Sequence, residues 1–164
     1  MLTKVVADAL NDQIKQELYS SYLYLSMSAH CEAENLSGIA HWLRAQSREE
    51  LEHAMKIRAY MEDRGARVLL QSIDQPPAEF NKPVDLFKQV LEHEKKISSL
   101  IHRLYELAIK ENDYPTQVML QWFITEQVEE EKTAETIVEQ LKMVGDSPGQ
   151  LLMVDRYLGR RGQG

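Results

Sequence analysis

The chain has one cysteine, few glycines and prolines, no apolar run long enough to span a bilayer and no basic run. Each shortage closes an option. Cys31 cannot form an internal disulfide and reads as a free thiol. The start Met1-Leu2-Thr3-Lys4 leads straight into amphipathic helix without the apolar core of a signal peptide, so a cytoplasmic protein with no membrane partner is expected. Asp and Glu number 26 against 19 Lys and Arg, a formal charge of -7. Pairs such as Arg160-Arg161 are too sparse to track phosphates, so no nucleic-acid partner is expected. At 164 residues the expectation is one domain, 1–164, with a substantial core.

Glycine and proline fall where helices should end. A first helix over about 4–34 stops at Asn35-Leu36-Ser37-Gly38, with Ser37 placed to cap the next. The second runs to Arg64-Gly65, where glycine supplies a left-handed cap. From about Ala66 to Pro83 the period is lost and Pro76, Pro77 and Pro83 appear, which reads as a connection of roughly 18 residues. A helix of about 28 residues spans roughly 42 Å, and such a connection can run back along it. The second and third helices would then be parallel. The third ends near Glu111-Asn112-Asp113, and the fourth starts at Tyr114-Pro115 and stops at Gly145. The pattern predicts an all-α bundle, about 4–144, of two antiparallel hairpins joined by one long crossover. A short fifth helix, about 147–158, has Ser147 as N-cap, Pro148 at its first position and Leu151, Leu152, Val154 and Leu158 as apolar groups. Those need burial against the end of the bundle or a neighbouring subunit.

The apolar stripes of the four long helices contain a second shortage, of positive charge. Phe87, Val90, Glu94, Ile97, Ile101, Leu104 and Ala108 step by three and four, broken only by the carboxylate. The second helix gives Ile39, Leu43, Gln46, Glu50, His53, Ile57 and Tyr60. The first gives Leu10, Ile14, Glu17, Ser21, Tyr24 and Ser28. The fourth gives Met119, Trp122, Phe123, Glu126, Glu130, Thr133, Ile137 and Leu141. A buried carboxylate without a partner costs several kcal/mol or takes up a proton, and four that converge also repel. No stripe holds Lys or Arg, and His53 is the one basic group. The counter-charge must come from outside the chain. Two divalent cations balance four carboxylates, and oxygen-rich ligation with one histidine suits iron or manganese better than zinc or copper.

With Glu17, Glu50-Leu51-Glu52-His53, Glu94 and Glu126-Gln127-Val128-Glu129-Glu130 on a single-crossover bundle, the chain resembles the non-haem bacterial ferritins from end to end. The resemblance implies iron storage coupled to ferroxidase chemistry in a homo-oligomeric shell of 24 subunits, with Fe(II) and dioxygen or peroxide as substrates. It implies one iron held by Glu17, Glu50 and His53 and a second by Glu50, Glu94 and Glu130, Glu50 bridging and Gln127 beside the pair. A third, looser position would use Glu49, Glu126, Glu129 and Glu130. Tyr24 matches the family's tyrosine near the site and joins Glu50 and His53 as a catalytic candidate. The fourth helix carries Gln127-x-x-Glu130 where many di-iron bundles have Glu-x-x-His, which separates the chain from bacterioferritin. No haem is expected, because Leu51 stands where bacterioferritin has its haem-ligating methionine. Gln117 and Leu120 correspond to acidic threefold-channel positions of animal ferritins.

Plainer readings stand beside these. Trp122 is read as packing, the seven methionines as core filler, and His30, His41, His93 and His102 as having no site role. A rubrerythrin-like peroxidase would need four cysteine ligands where this chain has one. A DNA-binding miniature ferritin would lack the fifth helix. A structural bundle without turnover remains the non-enzymatic alternative.

Overall fold

The computed structural model describes residues 1–163. Five helices follow in order: α1 Lys4–Ala33, α2 Ser37–Asp63, α3 Pro83–Lys110, α4 Tyr114–Val144 and α5 Pro148–Leu158, with no strand among the described residues. Local chemistry sets the ends. Thr3, Asp113 and Ser147 accept from the backbone N–H of Val6, Thr116 and Gln150, each satisfying one of the orphan donors of a helix start. Asn35, Gly65 and Asn112 adopt positive φ (61°, 70° and 54°). Behind them Leu36 N donates to Cys31 O, Ala66 N to Met61 O and Asp113 N to Ala108 O, all at 2.9 Å. Three helices thus end in the same left-handed cap, with asparagine doing twice what glycine does once.

Ser37 is not the cap of α2. Leu36 holds that position and makes no side-chain capping bond. The donor at Ile39 is met instead by the Asp155 carboxylate of α5, at 2.8 Å. Gly38 makes this docking possible, since a Cβ there would lie 1.8 Å from the Asp155 carbonyl oxygen. The fifth helix therefore packs on the end of the bundle, where Leu158 is buried, and leaves Leu152, Met153 and Tyr157 exposed.

Two apolar clusters fix the topology. In one, Val6, Leu10 and Ile14 meet Ala54, Ile57 and Met61, Ile97, Ile101 and Leu104, and Leu120 and Phe123. In the other, Leu23, Tyr24 and Met27 meet Ile39 and Leu43, Leu86, Phe87 and Val90, and Ala134, Ile137 and Leu141. Residue numbers rise from the first cluster to the second in α1 and α4 and fall in α2 and α3. The second and third helices are therefore parallel. Residues 64–82 make the return along α1: Leu69 N donates to Asn11 Oδ1 (2.9 Å), Gln71 to Asp12 (2.7 Å), and Ser26 Oγ to Pro77 O (2.6 Å), before Phe80 packs edge-on against His30.

One stripe is rotated from its expected face. The buried residues of α4 are Thr116, Leu120, Phe123, Gln127, Glu130, Ala134, Ile137, Val138 and Leu141. Trp122 and Thr133 are exposed, and Glu126 sits at the edge. Leu120 is fully buried in the core, so it lines no channel surface, while Gln117 is half-buried and donates to the Ala108 carbonyl at 3.3 Å.

Candidate metal centre

Between the two apolar clusters lies a polar layer to which each long helix contributes a carboxylate. Glu17, Glu50 and Glu94 are each 1% exposed and Glu130 is 8% exposed. Oxygen and nitrogen atoms of Glu17, Glu50 and His53 lie within 4.8 Å of one another, and so do atoms of Glu50, Glu94 and Glu130. Glu50 belongs to both groups. The His53 Nδ1 atom is 3.2 Å from Glu50 Oε2 and 3.9 Å from Glu17 Oε2.

Neutral donors orient these groups. Gln13 Nε2 donates to Glu17 Oε1 at 2.9 Å, and Gln46 Nε2 donates to Glu50 Oε1 at 3.1 Å and to Glu130 Oε2 at 2.7 Å. Gln127 Nε2 reaches both the backbone oxygen and Oε2 of Glu94 at 3.1 Å. The Tyr24 hydroxyl donates to Glu94 Oε1. Among the described side-chain atoms Glu17 Oε2 alone is buried with no hydrogen-bond partner.

The electrostatic consequence is uniform. Burial, and then the Glu50 charge, raise the Glu17 carboxyl well above the usual range. Burial followed by the charges of Glu94 and Glu130 does the same to Glu50. Burial also raises Glu94, against the hydrogen bonds from Tyr24 and Gln127, and pushes Glu130 up to about 8, with Glu94 adding to the effect. The Tyr24 phenol is driven upward by burial and by the Glu94 charge, so it stays a proton donor. The layer is thus a set of carboxyls that resist ionising together, an arrangement whose protons a hard divalent ion would displace.

The looser candidates are spread out. Glu126, Glu130 and His53 form a third close group. Glu49 and Glu126 line an open groove of about 590 Å³ with Glu52, His53, Met55, Lys56 and Trp122. The Glu49 carboxylate is held by Arg161 at 2.8 Å. Glu129 is exposed and belongs to none of these groups. Trp122 packs edge-on against His53 at 5.4 Å, with Lys56 Nζ 4.0 Å above its ring.

Several participants were not read from the sequence. Gln13 and Gln46 each precede a site glutamate by four residues, a repeated spacing that signals a donor one helical turn away. His93 is buried, lies 2.7 Å from Ser20 Oγ and stacks edge-on against Tyr24. Burial lowers its pKa to about 4, so it adds no positive charge to the layer. Its position on α3, one residue before Glu94, carries no period signal because it faces α1 rather than the bundle axis.

A long-helix bundle with this shared carboxylate and histidine layer defines a ferritin-like protein. A ferritin-like domain matches residues 7–144. The bacterial non-heme ferritin of Bacteroides fragilis (strain 638R) is 41% identical over 161 residues, 98% of this chain and 100% of that protein. The bacterial non-heme ferritin of Staphylococcus epidermidis is 37% identical over 98% of this chain and 97% of its own length. An open-pore ferritin from the archaeon Archaeoglobus fulgidus superposes with a TM-score of 0.97 at 42% identity, covering 98% of this chain and 99% of the other. The chain belongs to the ferritin family, and its function is iron storage. No described helix is long and apolar enough to cross a membrane.

Proposed function

We propose that the chain works as a single ferritin-like domain that oxidises Fe(II) at a pair of positions inside each subunit. Glu17, Glu50 and His53 take one iron, Glu50, Glu94 and Glu130 the other, and Gln127 orients Glu94. The carrying observation is the buried layer of four carboxyls with one histidine, in which Glu17 Oε2 has no hydrogen-bond partner among the described residues. Two bound Fe(II) each give one electron to dioxygen, which takes up two protons and leaves as hydrogen peroxide; peroxide can serve as oxidant in its turn. Hard anionic ligands favour the higher charge of Fe(III) and so drive the oxidation. When peroxide is the oxidant its reduction to water takes two electrons, and Tyr24, hydrogen-bonded to Glu94, can give one of them beside a single Fe(II), its proton passing to Glu94 and a tyrosyl radical remaining.

Ferric product then moves to a cavity as hydrated oxide. The third position, built on Glu126 and Glu130 with Glu49 and Glu129 at its edge, relays iron between pair and cavity. The enclosing assembly is a cytosolic homo-oligomer of 24 chains, about 460 kDa at 19.0 kDa per chain with closed symmetry assumed.

Anaerobic Fe(II) titration of the purified protein, followed by air and sizing of the product on a column, tests binding, turnover and assembly together. Two tight Fe(II) per chain, a ferric absorbance rise within seconds and elution as a shell are the expected results. A monomer or simple dimer with no oxidation above the rate in buffer would overturn the reading in favour of a structural bundle.

A further inference from the structure

Among the described residues beyond α5, Arg161 alone reaches a proposed iron ligand, and four contacts fix it. Its Nη2 lies 2.8 Å from Glu49 Oε2 and its Nη1 donates to the Trp42 carbonyl at 3.1 Å. The guanidinium carbon sits 4.5 Å over the Trp42 ring, and the Arg161 carbonyl meets His41 Nε2 at 2.9 Å. Upstream, Gly159 passes 3.0 Å from the Gly38 Cα, measured from an added Cβ, so the chain leaves α5 pressed against α2. Most exposed ion pairs are weak because two long side chains must be ordered to make them. Here stacking and backbone bonds order the guanidinium first, and the planar fork loses less freedom in binding a carboxylate.

Glu49 opens onto the same groove as His53, Glu126 and Glu52. Lys56, which also lines that groove, lies over the Trp122 ring, and Arg161 reaches the groove through its bond to Glu49. We infer that Arg161 is a specificity-determining residue for the third cation position: its guanidinium occupies the Glu49 oxygen that a metal would use, and so sets how tightly that position holds iron. With Arg161 seated, the position has Glu126 and the shared Glu130 to offer. When the guanidinium swings out to solvent, Glu49 is free to join them. A weak, displaceable third ligand set is what a relay needs, since an ion held as firmly as at the pair would not move on.

This rests on the reading of Glu49 as a third-site ligand, and the test separates the two. The probe is Mn(II), a hard divalent ion that does not turn over under these conditions, counted anaerobically on the assembled protein by calorimetry and by electron paramagnetic resonance of the free ion. R161A is expected to bind a third Mn(II) per chain about fivefold more tightly, the scale of removing one well-ordered ion pair, with the first two unchanged. R161Q, which keeps an amide for the Trp42 carbonyl, should do the same and guards against loss of the C-terminal packing. E49Q should weaken the third ion, and R161A in an E49Q background should restore nothing. If E49Q weakens the third ion but neither Arg161 variant tightens it, the competition is refuted while Glu49 stands as a ligand. If E49Q has no effect, the Glu49 assignment fails and the role of Arg161 with it. Tightening by R161A that survives in the E49Q background would show a general field effect and overturn the assignment to Glu49.

Discussion

Replacing Glu130 by glutamine removes one ionisable group while leaving an oxygen that can still accept from Gln46, so it isolates the electrostatic cost of gathering these carboxyls. Glu130 titrates near 8 against an ordinary value of 4.5. A carboxyl whose folded pKa is raised holds its proton in the native state after the unfolded chain has lost it. Its contribution is therefore fully present below about pH 4.5 and is lost as pH rises towards 8. Each pH unit in that window is worth about 1.4 kcal/mol, so between pH 5.5 and 7.5 the metal-free protein should lose about 2–3 kcal/mol through this group alone. The other three raised carboxyls add losses of the same sign. In guanidinium titrations of metal-free protein, Glu130→Gln should show a higher midpoint than the parent at pH 7.5 and a difference shrinking towards pH 5.5. With Mn(II) bound the order should reverse at pH 7.5, because the parent then gains a ligand that the variant has lost. A pH-independent difference, or a parent that grows more stable from pH 5.5 to 7.5 without metal, would refute the reasoning.

Glu50→Ala and His53→Ala should each slow the first Fe(II) oxidation by more than about 100-fold in stopped-flow absorbance, since even outer-sphere changes at metal sites cost 10–100-fold; circular dichroism should show the helices intact. Tyr24→Phe keeps the ring but deletes the donor to Glu94, so anaerobic Fe(II) stoichiometry should hold while the tyrosyl signal after oxygen addition, read by electron paramagnetic resonance, disappears. Asp155→Ala leaves the Ile39 N–H without its acceptor and should cost about 1–2 kcal/mol, the scale of a lost N-cap; hydrogen exchange should rise first at residues 36–40 and 148–158. Gly38→Ala should release α5 more completely, because the added methyl meets backbone that cannot move aside.

The bundle was legible because long helices announce themselves by period, and their ends by Asn35, Gly65, Asn112 and Pro115. The crossover was legible from its length and prolines. The carboxylate layer was legible for a different reason: Glu17, Glu50, Glu94 and Glu130 each interrupt an apolar stripe, and an interruption is readable where a surface charge is not. What escaped reading is what distance in sequence hides. Asp155 caps a helix 116 residues away, and Arg161 reaches Glu49 only because Gly38 and Gly159 let two backbones touch. The stripe of α4 was displaced by one residue because successive side chains are only about 100° apart. Glu126 and Gln127 both fit a stripe drawn through Glu130, and packing against Glu94 and Ser98 chose the glutamine.

The donors around the layer explain why it can bind metal at all. Gln13, Gln46, Gln127 and Tyr24 fix carboxylate orientation through neutral N–H and O–H groups, which restrict movement but leave the negative charge in place. A lysine or arginine at any of those positions would orient a carboxylate equally well and would also compete for the oxygen that the metal needs. The chain uses arginine in just that way away from the centre: Arg64 holds Asp113 at 2.9 Å beside the start of α4, where a closed ion pair stiffens a turn. At Glu49, on the border between the two regimes, an arginine holds a carboxylate that also faces the groove beside His53 and Glu126. Among the described residues no lysine or arginine reaches the pair, one arginine holds Glu49 at its margin and another closes an ion pair at the bundle end; on the proposal above, that follows the order in which the three places would hold iron, from tightest to none.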